Sequence, residues 1–222
     1  MKLEKAASQG DLAGVQAALA EGANTSHLSS RALRLAAEGG HADCVKLLIP
    51  VSDPLARGSG ALAMAAERGH IECVKLLIPV SDQRASGYRA LKLATEFNRV
   101  ECARLLAEAA NPQDDQVEAL LIAAEEGHLE CLRLLMPLSN SLASRSRALR
   151  GAAESGHAHC VLELLPVSDL SSQGPDGLGA VESARRRGHG DVAAMIEAFM
   201  EAKDLGSSLP NMTQPSEARL RL

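Results

Sequence analysis

The sequence predicts an all-α solenoid, a stack of about seven short helix pairs, and three observations predict it. The first is a period. All five cysteines, Cys44, Cys73, Cys102, Cys131 and Cys160, recur at a spacing of 29 residues, and a fixed period of roughly 20 to 50 residues marks a stacked repeat. Ala61 to Asp82 reads A-L-A-M-A-A-E-R-G-H-I-E-C-V-K-L-L-I-P-V-S-D, Ala32 to Asp53 returns it almost letter for letter, and Ala119 to Asn140 and Ala148 to Asp169 are further copies. The second is that each copy holds two apolar segments at helical spacing and none that alternates with the period of a strand. The third is punctuation: glycine-histidine between the segments and proline after them.

Within a unit, the first helix is expected from about Ser59 to Arg68, with Leu62, Ala65 and Ala66 on one face. Ser59 is placed as its N-cap, and Gly69 takes the left-handed turn that ends it. The second helix is expected over Ile71 to Ile78, with Cys73, Val74, Leu76 and Leu77 inward. Pro79 stops it, since proline lacks a donor and clashes with the preceding turn, and Val80-Ser81-Asp82 opens a loop. One such pair cannot bury its own apolar stripe; stacked neighbours can.

Along the chain, residues 1–29 form a degenerate first unit in which Gly10-Asp11 replaces Gly-His and Gly14 stands where cysteine recurs. An atypical end is what a cap looks like. Units follow at 30–58, 59–87, 88–116, 117–145 and 146–174, and a seventh at 177–200 closes the stack. Residues 201–222, with Gly206-Ser207-Ser208, Pro210 and Pro215 and no periodicity, are expected to be a disordered tail. The fourth unit breaks the pattern: Phe97-Asn98-Arg99 replaces x-Gly-His, and Ala107 to Ala110 replaces the proline connector. Asn98 is the residue best able to stand in for a left-handed glycine.

The motif A-A-x-x-G-H followed by x-x-C-V-K-L-L, at Ala65 to Leu77 and its copies, resembles the ankyrin repeat over about residues 1–200. Gly22-Ala23-Asn24 is similar to the family's G-A-D, and Ala184 with Gly188-His189 follows its ordinary pattern. The period is four residues shorter than the family's 33, and Ser59-Gly60-Ala61-Leu62 stands near the place of its T-P-L-H turn. Short loops are therefore expected in place of projecting β-hairpins. The likeness is strongest to bacterial-type arrays with P-V-S-D connectors. It implies either an intracellular adaptor or an effector delivered into a host cell.

Composition bounds the function. The 222 residues are 46% hydrophobic, with no Trp, one Tyr and two Phe, and the net charge is −5. An acidic chain lacks the basic footprint of a nucleic-acid binder. No run approaches the roughly 18 apolar residues of a membrane helix, and Met1 to Gly10 carries no secretory apolar core. A reduced, cytoplasmic setting, a monomer and a protein partner are the expectations, with no membrane and no nucleic acid.

The resemblance implies partner binding on the concave side, where the first helices end. Glu38, Glu67, Glu96, Glu125 and Glu154 form a ladder there, readable as a surface for a basic partner or as a solvated face. Arg34, Lys92 and Arg150, each four residues earlier, can pair with three of them. Phe97 follows Glu96 where Gly39, Arg68, Glu126 and Ser155 stand in other units, and Tyr88 begins the same helix. The two aromatics would bracket a patch about 13 Å long at 1.5 Å per residue, with Lys92 and Glu96 between them. Phe97 is either an anchor in that patch or a cover for the Asn98 turn. The candidate partner-binding set is thus Tyr88, Lys92, Glu96, Phe97, Glu67, Arg68, Glu125 and Glu126.

Asp43/Lys46, Glu72/Lys75, Glu101/Arg104 and Glu130/Arg133 belong to the outer solvated face of the second helices. His41/Cys44, His70/Cys73, His128/Cys131 and His157/Cys160 pair at i and i+3. A structural zinc needs four ligands, and units about 8–10 Å apart do not converge on one ion. The cysteines read as small core hydrophobes, the histidines as backbone partners at the turn; a thiol or metal sensor is the competing function. No catalytic set, phosphate loop, metal or cofactor site stands out, so the expected function is a non-enzymatic protein-interaction scaffold.

Overall fold

A computed structural model describes residues 2–23, 26–82, 87–109, 115–139 and 141–207. Among the described residues there are fourteen α-helices and no strand. They are α1 (Lys2–Gln9), α2 (Leu12–Ala20), α3 (Ser26–Glu38), α4 (Ala42–Leu48), α5 (Ala56–Arg68), α6 (Ile71–Leu77) and α7 (Tyr88–Glu96). There follow α8 (Val100–Ala109), α9 (Asp115–Glu125), α10 (Leu129–Leu135), α11 (Leu142–Ser155), α12 (Ala158–Leu164), α13 (Ala180–Arg186) and α14 (Gly190–Ser207). Odd-numbered helices are the first of each pair and pack on one another in a row; even-numbered helices form the second row.

The core runs unbroken from Leu3 to Ile196. Each middle unit gives it the same positions: Ala32, Leu33, Ala36 and Ala37 from α3, then Cys44, Val45 and Leu48 from α4, all 0–1% exposed. Alanine on the first helices lets them approach closely, while Leu, Val and Cys fill the wider space beneath the second helices. The first row is therefore the more tightly joined.

Three local expectations change. Ser59 does not cap its helix: α5 begins three residues earlier, with Leu55 at the N-cap position. The same serine in other units lies a turn inside the helix and holds the next connector. The Asp53 N–H donates to Ser30 Oγ at 3.0 Å, and the Asp169 N–H to Ser146 Oγ at 2.9 Å. The aspartates then accept from Leu55 N and Ser171 N, 3.0 Å each, which is the turn chemistry of the Ser-Asp pair. Pro79 does not end the helical path but tightens it into a 3-10 turn, Ile78–Val80, as Pro50 does in Ile49–Val51. At the first positions of such a turn the missing N–H has no role. Finally, α14 continues to Ser207, seven residues past the expected end of the array at Met200; residues 208–222 of the expected tail lie outside the described residues.

The turn within each pair explains its Gly-His. Gly40 has φ +76°, and a Cβ there would fall 2.5 Å from His70 Nδ1. The His70 ring lies over Gly40 and its Nε2 bonds the Glu38 carbonyl at 2.9 Å, so glycine answers both a left-handed φ and a close approach. His41 bonds Ser8 O and His128 bonds Glu96 O likewise. Each histidine thus ties its own unit to the preceding one. In unit four Arg99 takes this place, with Nε 3.0 Å from Glu67 O, and Asn98 holds the left-handed turn at φ +52°.

Candidate partner-binding face

The C-terminal ends of the first helices carry the glutamate ladder, and the charges there are unevenly matched. Glu38 pairs with Arg34 at 3.6 Å and with Arg68 of the next unit at 3.4 Å; Arg68 also reaches Glu67 at 3.9 Å. Glu154 pairs with Arg187 at 2.6 Å and Arg186 at 3.8 Å. The expected Lys92/Glu96 and Arg150/Glu154 pairs do not form among the described ion pairs; Arg150 instead donates to Ser172 Oγ. The middle of the ladder, Glu96, Glu125 and the neighbouring Glu126, has no ion pair among the described residues. Glu125 is pushed above the ordinary carboxylate value by desolvation, with Glu118, Glu126 and Glu154 adding to the rise and Arg147 opposing it.

Phe97 caps α7 and is 44% exposed. Tyr88, at the other end of α7, is half-buried, as is Lys92 between them, while Glu96 and Arg68 are exposed and Glu67 is largely covered. The candidates thus fall at the C-terminal ends of α5, α7 and α9, except Tyr88 at the start of α7 and Lys92 at its middle.

Sequence reading missed a second feature. An open groove of about 490 Å³ is lined by Glu125, Glu126, Gly151, Glu154, Ser155, Arg187 and His189. Gly151 makes it: the same register holds Leu35, Met64, Leu93 and Ile122 in earlier units. A Cβ at Gly151 would meet Glu125 Cγ at 2.9 Å, so the Glu125 side chain leans into the notch. A glycine inside a helix costs about 1 kcal/mol, and the register comparison was the signal that could have found it.

On the outer face Lys75 pairs with Glu72 and Arg104 with Glu101 and Glu108, which holds Glu101 below its ordinary value through the Arg104 hydrogen bond. Arg133 reaches across to Glu163 of the next unit. The five cysteines are unpaired and buried. Burial pushes the thiols of Cys73, Cys102 and Cys131 up to about 11, and those of Cys44 and Cys160 also upward. Among the described residues no group of three or more His, Cys, Asp or Glu is placed to hold a metal. No described helix is long and apolar enough to cross a membrane.

The family model described as "Ankyrin repeats (3 copies)" matches residues 3–78 and 50–115, together just over half of the chain. The chain belongs to the ankyrin repeat family. Among solved structures, the human ASB11 ankyrin repeat domain matches with a TM-score of 0.76 at 21% identity, covering 88% of this chain and 97% of its own. The ankyrin repeat domain of Bcl-3, a member of the IkappaB protein family, matches with a TM-score of 0.68 at 23% identity, covering 87% and 98%. At these identities the likeness concerns the fold. No curated protein matches by sequence. Ankyrin arrays are protein-interaction modules, a non-enzymatic fold, and in this one 3-10 turns follow second helices at Ile49–Val51, Ile78–Val80 and Leu165–Val167.

Proposed function

We propose that this ankyrin array binds a partner protein on its concave face, centred on the ends of α7 and α9. The observation that carries it is Phe97. A residue that merely covered the Asn98 turn would be buried against it, yet Phe97 is 44% exposed on the side where the ladder has no ion pair among the described residues. Exposed aromatics are the usual anchors of interfaces, and a stacked array presents them preorganised, with little ordering entropy lost on binding. Tyr88, Lys92, Glu96, Glu67, Arg68, Glu125 and Glu126 surround this anchor. The array acts in this reading as a monomeric adaptor or delivered effector in a reducing, cytoplasmic compartment, which five unpaired thiols suit. The net charge of −5 favours protein over nucleic acid or an anionic membrane surface.

The competing thiol sensor requires accessible thiols of lowered pKa. Cysteines 0–1% exposed, with pKa values pushed upward, support the core role instead. The decisive experiment is capture of a partner followed by affinity measurement on Phe97→Ala. An anchor's loss leaves the melting temperature unchanged and weakens binding by about 2 kcal/mol or more. Normal binding by that variant, or weakening only by charge reversal on the outer face at Lys75 and Arg104, would sink the proposal.

A further inference from the structure

Beside the glutamate ladder runs an apolar line. Leu35, Met64 and Leu93 are half-buried side chains of the first helices, and unlike Leu33, Leu62 and Leu91 they stand outside the continuous core. Ile122, 9% exposed, holds the same register but is buried, although it is not part of the continuous cluster. Three units thus present one partly exposed apolar residue each at the same register, Ile122 continues it as a buried residue, and at Gly151 the line ends in the notch under Glu125.

Spacing selects an occupant. Adjacent packed helices lie about 8–10 Å apart, so the apolar residues repeat at that interval along the groove. A helix laid along the array advances about 10.5 Å in seven residues, at 1.5 Å each. Its heptad positions would meet Leu35, Met64, Leu93 and Ile122 in turn. An extended segment also advances about 10 Å in three residues, but its backbone N–H and C=O groups would find no sheet edge here, since no strand exists among the described residues. A helix satisfies its own backbone. Charge selects the flank: on one side of the line Glu96, Glu125 and Glu126 have no ion pair among the described residues, whereas Glu38 and Glu154 at the ends are already matched.

We propose that the concave face receives an amphipathic helix of about 20 residues, apolar at every seventh position, with lysine or arginine along the flank that meets Glu96, Glu125 and Glu126. A long basic side chain at its end enters the Gly151 notch. The proposal rests on the concave-face function above and specifies the chemistry of the partner.

The test uses labelled synthetic peptides and fluorescence anisotropy on the full chain. One peptide carries leucine at every seventh position and lysine on one flank. A second reverses the flank to glutamate, a third scrambles the order, and a fourth is proline-interrupted with leucine at every third position. The first should bind at least about tenfold tighter than the other three, a tenfold ratio being 1.4 kcal/mol, and should weaken as salt rises. Leu93→Asp and Glu96→Lys should each weaken it about tenfold with an unchanged melting curve, because neither side chain belongs to the core. Equal binding of the scrambled or reversed peptide, indifference to both variants, or tighter binding of the proline-interrupted peptide overturns the proposal. If the first peptide fails while Phe97→Ala still weakens a captured natural partner, the helix is wrong and the concave-face function stands.

Discussion

Replacing Gly40 with alanine tests how the units are joined. Gly40 and Gly22 share a left-handed conformation, φ +76° and +81°, so both substitutions carry the backbone penalty of about 1–2 kcal/mol. They differ in what the new methyl meets. At Gly22 nothing lies within 4 Å; at Gly40 the methyl falls 2.5 Å from His70 Nδ1 and 2.7 Å from its Cε1. The ring must move, and its bond to the Glu38 carbonyl, 2.9 Å long, is lost or stretched. Such a bond contributes about 0.5–1.5 kcal/mol. Asn98 sets the upper limit: with φ +52° it carries a Cβ while His128 still bonds Glu96 O at 3.0 Å, so the turn relaxes and the array still folds. Gly40→Ala should therefore cost about 2–3 kcal/mol, roughly 1 more than Gly22→Ala. Urea titrations followed by circular dichroism measure both. His70→Ala should cost about 1 kcal/mol alone and clearly less when Gly40→Ala is already present, since the bond is then already weakened or lost. Equal losses at Gly22 and Gly40, or strict additivity with His70→Ala, would refute the clamp.

Leu77→Ala, at a fully buried position in the middle of the stack, should cost about 2–5 kcal/mol. Ile196→Ala, the matching position in the last unit, should cost less because it has a neighbouring unit on one side only; equal shifts in denaturant midpoint would contradict this. The raised thiols predict alkaline sensitivity. An unfolded cysteine ionises near 9 and folded Cys73, Cys102 and Cys131 near 11, so the folded state holds protons that the unfolded chain releases. Their contribution is complete below pH 9 and is lost as pH rises toward 11; the triple alanine variant should show a flatter stability profile over that window, and an unchanged slope would remove the burial argument. Glu125 also has a raised pKa, so its charge opposes folding once pH exceeds the ordinary value of 4.5. Glu125→Gln should raise the melting temperature at pH 7 and lose that advantage below pH 4.5; a lower melting temperature at neutral pH would show that the carboxylate is instead held by a favourable contact.

The linear order of the array was determined by the sequence alone. The constant spacing of the cysteines set the repeat, and Leu62, Ala65, Ala66, Cys73, Val74 and Leu77 were legible as core because helical periodicity leaves an apolar stripe little choice but to face its copies. Asn98 was legible as a left-handed residue because local sterics settle φ within one turn. Helix starts were not legible. Ser59 has the chemistry of an N-cap, yet α5 begins at Ala56; Ser30 and Ser146, at the same register, hold the connector of their own unit, as Asp53 N to Ser30 Oγ shows, a contact 23 residues long. The partners of the charges were equally hidden: Glu154 has Arg150 one turn away yet meets Arg186 and Arg187 from the next unit. So was the role of Gly151, whose missing side chain matters only because Glu125 of the preceding unit leans over it. Interactions within a turn follow from the order of residues; interactions between units depend on how stacked helices are set against each other, and that only the tertiary structure decided.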